Sequence, residues 1–163
     1  MKRACLLVVL LVASAITLNV KAQTVKLLKI NELEGRLTAG KDTTYIINFW
    51  ATWCAPCVAE LPHFERLAQT YKKEPMKVLL VSLDFRSKLE TAVRPFVEKN
   101  HLQNEVFLLN ESNQQEYIEK ISKEWSGSIP ATLVVNKKKN IKLFKEQEFS
   151  YEELEKLYKS LKP

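Results

Sequence analysis

Two stretches of this chain, Tyr45 to Trp50 and Met76 to Leu83, are strand-length runs of apolar, β-branched and aromatic residues. A strand with one wet face alternates polar with apolar residues, so runs this continuous read as strands covered on both faces. Between them Val58, Leu61, Phe64, Leu67, Ala68 and Tyr71 recur close to helical spacing, which predicts a helix over 57–71 with a kink at Pro62. Strand, helix and second strand, each needing cover, point to a layered α/β arrangement.

Further along, Ala131 to Asn136 reads as a third strand. The polar stretch Asn136 to Asn140 then turns the chain into the alternating Ile141 to Phe144, a hairpin at a sheet edge. Ser87 with Glu90 has the spacing of a capping box ahead of Leu89, Ala92, Val93, Phe96 and Val97, with Pro95 bending or interrupting that helix. Ser150 with Glu153 repeats the pattern before Leu154, Leu157, Tyr158 and Leu161. Ser112 with Gln115 opens a shorter helix toward Ile121, and Val106 to Leu109 reads as a short strand or a buried loop. The expected fold is a central sheet flanked by helices, with chemistry at the edge where the first long strand delivers the chain into the first long helix.

The first residues read as a targeting segment. Lys2 and Arg3 precede an apolar run from Ala4 to Leu18, short of the ~20 residues a spanning helix needs. Val20 and Ala22 occupy the positions a signal peptidase reads, placing cleavage after Ala22 and dividing the chain into a signal peptide, 1–22, and one domain, 23–163. The alternative is an uncleaved amino-terminal anchor facing the periplasm. Cys5 precedes the apolar run, which argues against a lipoprotein, and it leaves with the signal. Losing Lys2, Arg3 and Lys21 lowers the formal charge from +6 to +3, so nucleic-acid binding has no electrostatic case.

Cys54 and Cys57 then remain as one pair, too few for a disulfide framework and the right number for a redox couple. Two cysteines three apart at a helix start are separated by ~4.5 Å of helical rise, within reach of a disulfide. Unpaired backbone N–H groups and the helix dipole stabilise a thiolate at Cys54, which makes it the attacking nucleophile. Cys57, one turn further in and more buried, is the resolving thiol. Pro56 has the φ of a first helical turn and stiffens the loop without removing a needed hydrogen bond. A zinc site would need two more ligands, with only His63 and His101 on offer, and His63 reads as a helix-surface residue; no metal and no cofactor are expected.

The run from Phe49 through Trp53-Cys54-Ala55-Pro56-Cys57 to Pro62 resembles the thioredoxin superfamily, and within it the exported TlpA/ResA-like branch. The likeness extends from about Val25 to the carboxyl terminus and implies a thioredoxin-like fold, a central mixed β-sheet flanked by helices. It also implies a TlpA/ResA-like insertion before the strand that follows the proline motif. Gly127 to Thr132 looks like that family's cis-proline segment, so the resemblance implies a cis Ile129–Pro130 bond and an Ile129 backbone free to pair with extended substrate. Asn48 stands where cytosolic thioredoxins carry a buried acid, a substitution the exported branch shares. Glu60, one turn after Cys57, matches a glutamate that assists cysteine titration in similar proteins, and a partly buried carboxylate there could accept a proton through water. Trp53 is expected to offer a flat contact surface and Trp50 to pack in the core. Ala55 and Ala131 depart from the acidic residues found at those places in some relatives. The Lys137 to Lys139 cluster reads as edge protection.

The resemblance thus implies a protein-disulfide (thiol:disulfide) oxidoreductase, periplasmic or otherwise extracytoplasmic. Its expected catalytic residues are Cys54, Cys57 and Glu60, and its substrate-binding residues Trp53, Pro56, Ile129 and Pro130. The expected partners are a disulfide-containing exported protein and, as reductant, a membrane-embedded thiol carrier (CcdA/DsbD-like). The same pair could run as an oxidase or isomerase, since direction follows reduction potential. Other classes are a non-catalytic peptide-binding module with a structural disulfide and a peroxidase.

Overall fold

The computed structural model describes residues 24–162, so the signal-peptide segment and its cleavage point lie outside the described residues. The elements run β1 (Lys26–Leu28), α1 (Ile30–Ala39), β2 (Thr44–Trp50), α2 (Ala55–Thr70), β3 (Met76–Ser82), α3 (Arg94–Lys99), β4 (Glu105–Leu109), α4 (Gln114–Ile121), β5 (Ala131–Asn136), β6 (Ile141–Lys145) and α5 (Tyr151–Ser160). They form one six-stranded mixed sheet in the order β1-β4-β3-β2-β5-β6. β1, β4, β3 and β2 pair in parallel, and β5 and β6 are antiparallel.

The two apolar runs of the sequence are the adjacent strands β2 and β3, and every residue of β2 is buried. Alternation in β2 divides the core. Ile46 and Trp50 face a layer holding Leu61, Phe64 and Leu67 of α2, Val97 of α3 and Leu154 of α5. Tyr45, Ile47 and Phe49 face the opposite layer with Leu33 and Leu37 of α1 and Ile118 of α4. Helices therefore cover both faces of the central strands, which is why those strands carry no polar stripe. Tyr71, the residue that ends α2, and Tyr158 of α5 stack edge-to-face at 4.7 Å between centroids.

Local signals held to different degrees. The Ser150 capping box forms in full: Glu153 N–H donates to Ser150 Oγ at 3.3 Å and Ser150 N–H to Glu153 Oε2 at 2.8 Å. The Ser87–Glu90 box does not form. Ser87 lies inside a 3-10 turn, Arg86–Lys88, followed by a widened π turn, Leu89–Val93, before α3, and Glu90 pairs with Arg94 at 3.0 Å. Pro95 enters at the first turn of α3, where its missing N–H costs no helix bond, so the expected interruption takes the form of the wide turn ahead of it. The α4 cap is Asn113, not Ser112, its Oδ1 accepting from Glu116 N–H at 3.2 Å. α2 continues through Pro62, which sits on its exposed face. Val106 to Leu109 is a strand, held between β3 and β1.

Candidate functional site

β2 ends at Trp50, and a short turn closed by the Cys54 N–H to the Ala51 carbonyl (3.1 Å) sets Cys54 at the N-cap of α2. Cys54 and Cys57 form a disulfide with Cα atoms 5.3 Å apart. Both are buried, Cys57 fully and Cys54 with 6% of its surface left. The Cys57 N–H points at Cys54 Sγ at 3.3 Å, so in the dithiol state one orphan donor of the helix start is already aimed at the sulfur that would carry negative charge. Pro56 lies in that first turn, where a missing N–H removes no helical bond.

The loop before β5 faces this sulfur. Ile129–Pro130 is a cis peptide, and the Ile129 carbonyl oxygen lies 3.8 Å from Cys54 Sγ. The loop is pinned from below, because Trp125 Nε1 donates to the Ser128 carbonyl at 2.7 Å and the Trp125 ring packs against Phe49 and Phe144. Trp53 is 68% exposed beside the disulfide, whereas Trp50 is buried against Phe96 with centroids 5.1 Å apart.

Glu60 lies three residues after Cys57 on the same buried face of α2. It is fully buried, further in than the partly buried position its place in a helix suggested. Oε1 accepts from Asn48 Nδ2 at 2.7 Å and Oε2 from the Phe149 N–H at 2.8 Å. Burial pushes its carboxyl up to about 7, against the opposing pull of those two donors, with Glu148 adding to the rise. Asn48 occupies the centre of β2 opposite Thr132, and its Oδ1 is buried with no hydrogen-bond partner.

One part of the site carried no signal we read in the sequence. Asp84, just past β3, is buried, and it accepts the Thr52 N–H at 2.9 Å, the Thr52 hydroxyl at 2.7 Å and the Ser82 hydroxyl at 2.8 Å. Thr52 precedes Trp53, so this carboxylate ties the cysteine loop to the end of the neighbouring strand. Ser and Asp together after an apolar run are turn-forming residues, and that was the available clue. His63 is half-buried on α2, and His101 sits just past α3 at a positive φ of 51°. A cleft of about 790 Å³ runs beside α2, lined by Val58, Leu61, Pro62 and Phe96 among others, and neither cysteine lines it.

The profile of the AhpC/TSA family matches residues 15–144. The thiol-disulfide oxidoreductase ResA of Geobacillus kaustophilus is 27% identical over 130 residues, 80% of this chain and 70% of that one. The crystal structure of StoA from Bacillus subtilis superposes with a TM-score of 0.56 at 25% identity, covering 72% of this chain and 84% of that one. A thiol:disulfide interchange protein of the thioredoxin family from Chlorobium tepidum TLS gives a TM-score of 0.62 at 20% identity, over 76% and 83% of the two chains. The sheet order and flanking helices are those of a thioredoxin-like fold.

Proposed function

The chain belongs to the AhpC/TSA family, and on that premise we propose that it is an exported thiol:disulfide oxidoreductase that reduces disulfides of extracytoplasmic proteins. The observation that carries this reading is the placement of Cys54: a sulfur at a helix N-cap that keeps 6% of its surface, with a backbone donor aimed at it and a fully buried partner cysteine one turn away. Thiol–disulfide exchange is the chemistry such a pair performs.

In the dithiol state the Cys54 thiolate attacks one sulfur of a substrate disulfide. The substrate S–S bond breaks, its second sulfur leaves as a thiolate that takes a proton from water, and a mixed disulfide forms on Cys54. Cys57 then loses its proton and attacks Cys54 Sγ, releasing the first substrate sulfur and leaving the protein oxidised by two electrons. Glu60, buried one turn beyond Cys57 with a carboxyl poised near neutrality, is the group suited to take that proton through water. A membrane-embedded dithiol carrier, CcdA/DsbD-like, returns the two electrons.

Trp53, Pro56 and the Ile129–Pro130 edge form the substrate-facing rim around Cys54, with an extended segment pairing to the Ile129 backbone. An exposed indole and a backbone edge beside the sulfur suit a macromolecular substrate better than a small thiol. Lys2 and Arg3 ahead of the apolar run support export, with residues 1–22 removed and 23–163 as the working domain. Among the described residues no helix is long and apolar enough to cross a membrane.

Direction is tested by equilibrating the purified protein in glutathione and dithiothreitol buffers and trapping free thiols. A potential near ~-270 mV supports reduction, and one toward ~-120 mV overturns it in favour of an oxidant.

A further inference from the structure

The most exposed large apolar side chains among the described residues are Phe85, at 79%, and Trp53, at 68%; the next, Leu27, reaches only 37%. Isolated exposed hydrophobics need no explanation, but these two are placed together by the fold. Trp53 follows Thr52 and Phe85 follows Asp84, and Asp84 holds Thr52 by both its N–H and its hydroxyl. The Leu83 N–H also donates to the Trp50 carbonyl at 2.8 Å, so the two loops leave the carboxyl edge of the sheet side by side.

Neither aromatic hangs from a loose loop. Phe85 has extended backbone angles and is fixed on one side by buried Asp84. On the other side its carbonyl accepts from the Lys88 N–H at 2.8 Å, closing the 3-10 turn. An aromatic ring held out into water on a backbone that is already rigid loses little further freedom on binding, which is the property of an interface anchor. Phe85 follows the residue that grips Thr52, two positions ahead of Cys54, and that placement says what binds there: the polypeptide whose disulfide is being exchanged.

We propose that Phe85 is a specificity-determining contact which, with Trp53, favours polypeptides carrying a bulky apolar side chain next to the reacting cysteine. The inference rests on the reading of Cys54–Cys57 as an exchange site and names the substrate class for it. The apolar neighbour lies against the aromatic pair while the substrate sulfur reaches Cys54, and the Ile129 backbone holds the peptide main chain.

The test uses the full chain in its dithiol form and two disulfide-linked peptides, identical except for leucine or serine on both sides of the cysteine. Hydroxyethyl disulfide is a third probe. The second-order rate constant is expected to favour the leucine peptide by about tenfold. In Phe85→Ser that ratio falls toward one, and in Phe85→Leu most of it returns. A ratio unchanged in Phe85→Ser, with the variant's melting curve matching the parent, overturns the proposal. If the unsubstituted protein reduces hydroxyethyl disulfide but treats both peptides alike, the selectivity is absent and the exchange reading survives. If it reduces none of the three, the exchange reading fails and this inference falls with it.

Discussion

Asn48 donates its side-chain amide to Glu60 at 2.7 Å, and both side chains are sealed from solvent between β2 and α2. The bond joins the centre of the sheet to the face of the helix that carries Cys57. A buried carboxylate survives only if its oxygens are supplied with donors, and here one comes from Asn48 and the other from the Phe149 backbone. These donors pull the Glu60 carboxyl back from the rise that burial imposes on it.

Asn48→Ala removes a donor that matters most when Glu60 is ionised. The cavity costs the same at any pH, but the lost charge-assisted bond adds about 1–2 kcal/mol at pH 8 that is absent at pH 5. Urea unfolding at the two pH values measures it. Equal losses at both would mean that the bond is indifferent to the Glu60 charge.

Glu60 also shapes the stability profile of the disulfide form. Its folded-state carboxyl is raised from 4.5 to about 7, so between those values the folded chain holds a proton that the unfolded chain has released. Stability contributed by this proton is complete below about pH 4.5 and is lost as pH rises to about 7. At ~1.36 kcal/mol per pH unit the loss is roughly 3 kcal/mol. Glu60→Gln removes that slope, so the variant gains on the parent by about this amount from pH 4.5 to 7.5, as read by denaturant titration.

Cys57→Ser leaves the attacking sulfur and removes the resolving one. The variant is expected to accumulate a Cys54–substrate mixed disulfide, visible as an added mass on non-reducing mass spectrometry, and to lose turnover by at least about 100-fold. Cys54→Ser forms no such adduct. Retained turnover in Cys57→Ser would make the disulfide merely structural.

Asp84→Ala removes the acceptor of the half-buried Thr52 N–H and hydroxyl and of the buried Ser82 hydroxyl, at a cost of about 2–4 kcal/mol. The cysteine loop is released from β3 at the same time, so the exchange rate at Cys54 falls as well. Asp84→Asn keeps acceptor capacity and recovers part of both. Thermal melts and peptide-disulfide kinetics on the two variants separate the effects.

The elements legible in the sequence were those whose burial is continuous or whose caps are local. β2 and β3 announce themselves because both of their faces are covered, and α5 because its capping box spans only Ser150 to Glu153. β1 and α1 went unread. A three-residue strand has no measurable period, and α1 presents only Ile30, Leu33 and Leu37 to the core. The Ser87 box failed because its spacing was met without its context: the wide turn ahead of Pro95 took the helix start elsewhere.

The site divides along the same line. Cys54, Cys57 and Pro56 follow from four consecutive positions, since helix geometry alone brings residues three apart within disulfide reach, and the chain sequence determines that spacing. Folding alone brought the Ile129 carbonyl to 3.8 Å from Cys54 Sγ, across 75 residues of chain, and the Asp84 carboxylate to Thr52 across 32. It also turned Glu60 from one more helical glutamate into a buried acid titrating near neutrality. That change depends on which face of α2 meets the sheet and on a Phe149 N–H arriving 89 residues later. Spacing within a helix is a local property written residue by residue, whereas desolvation depends on everything that packs around a group and exists only once the layers have closed.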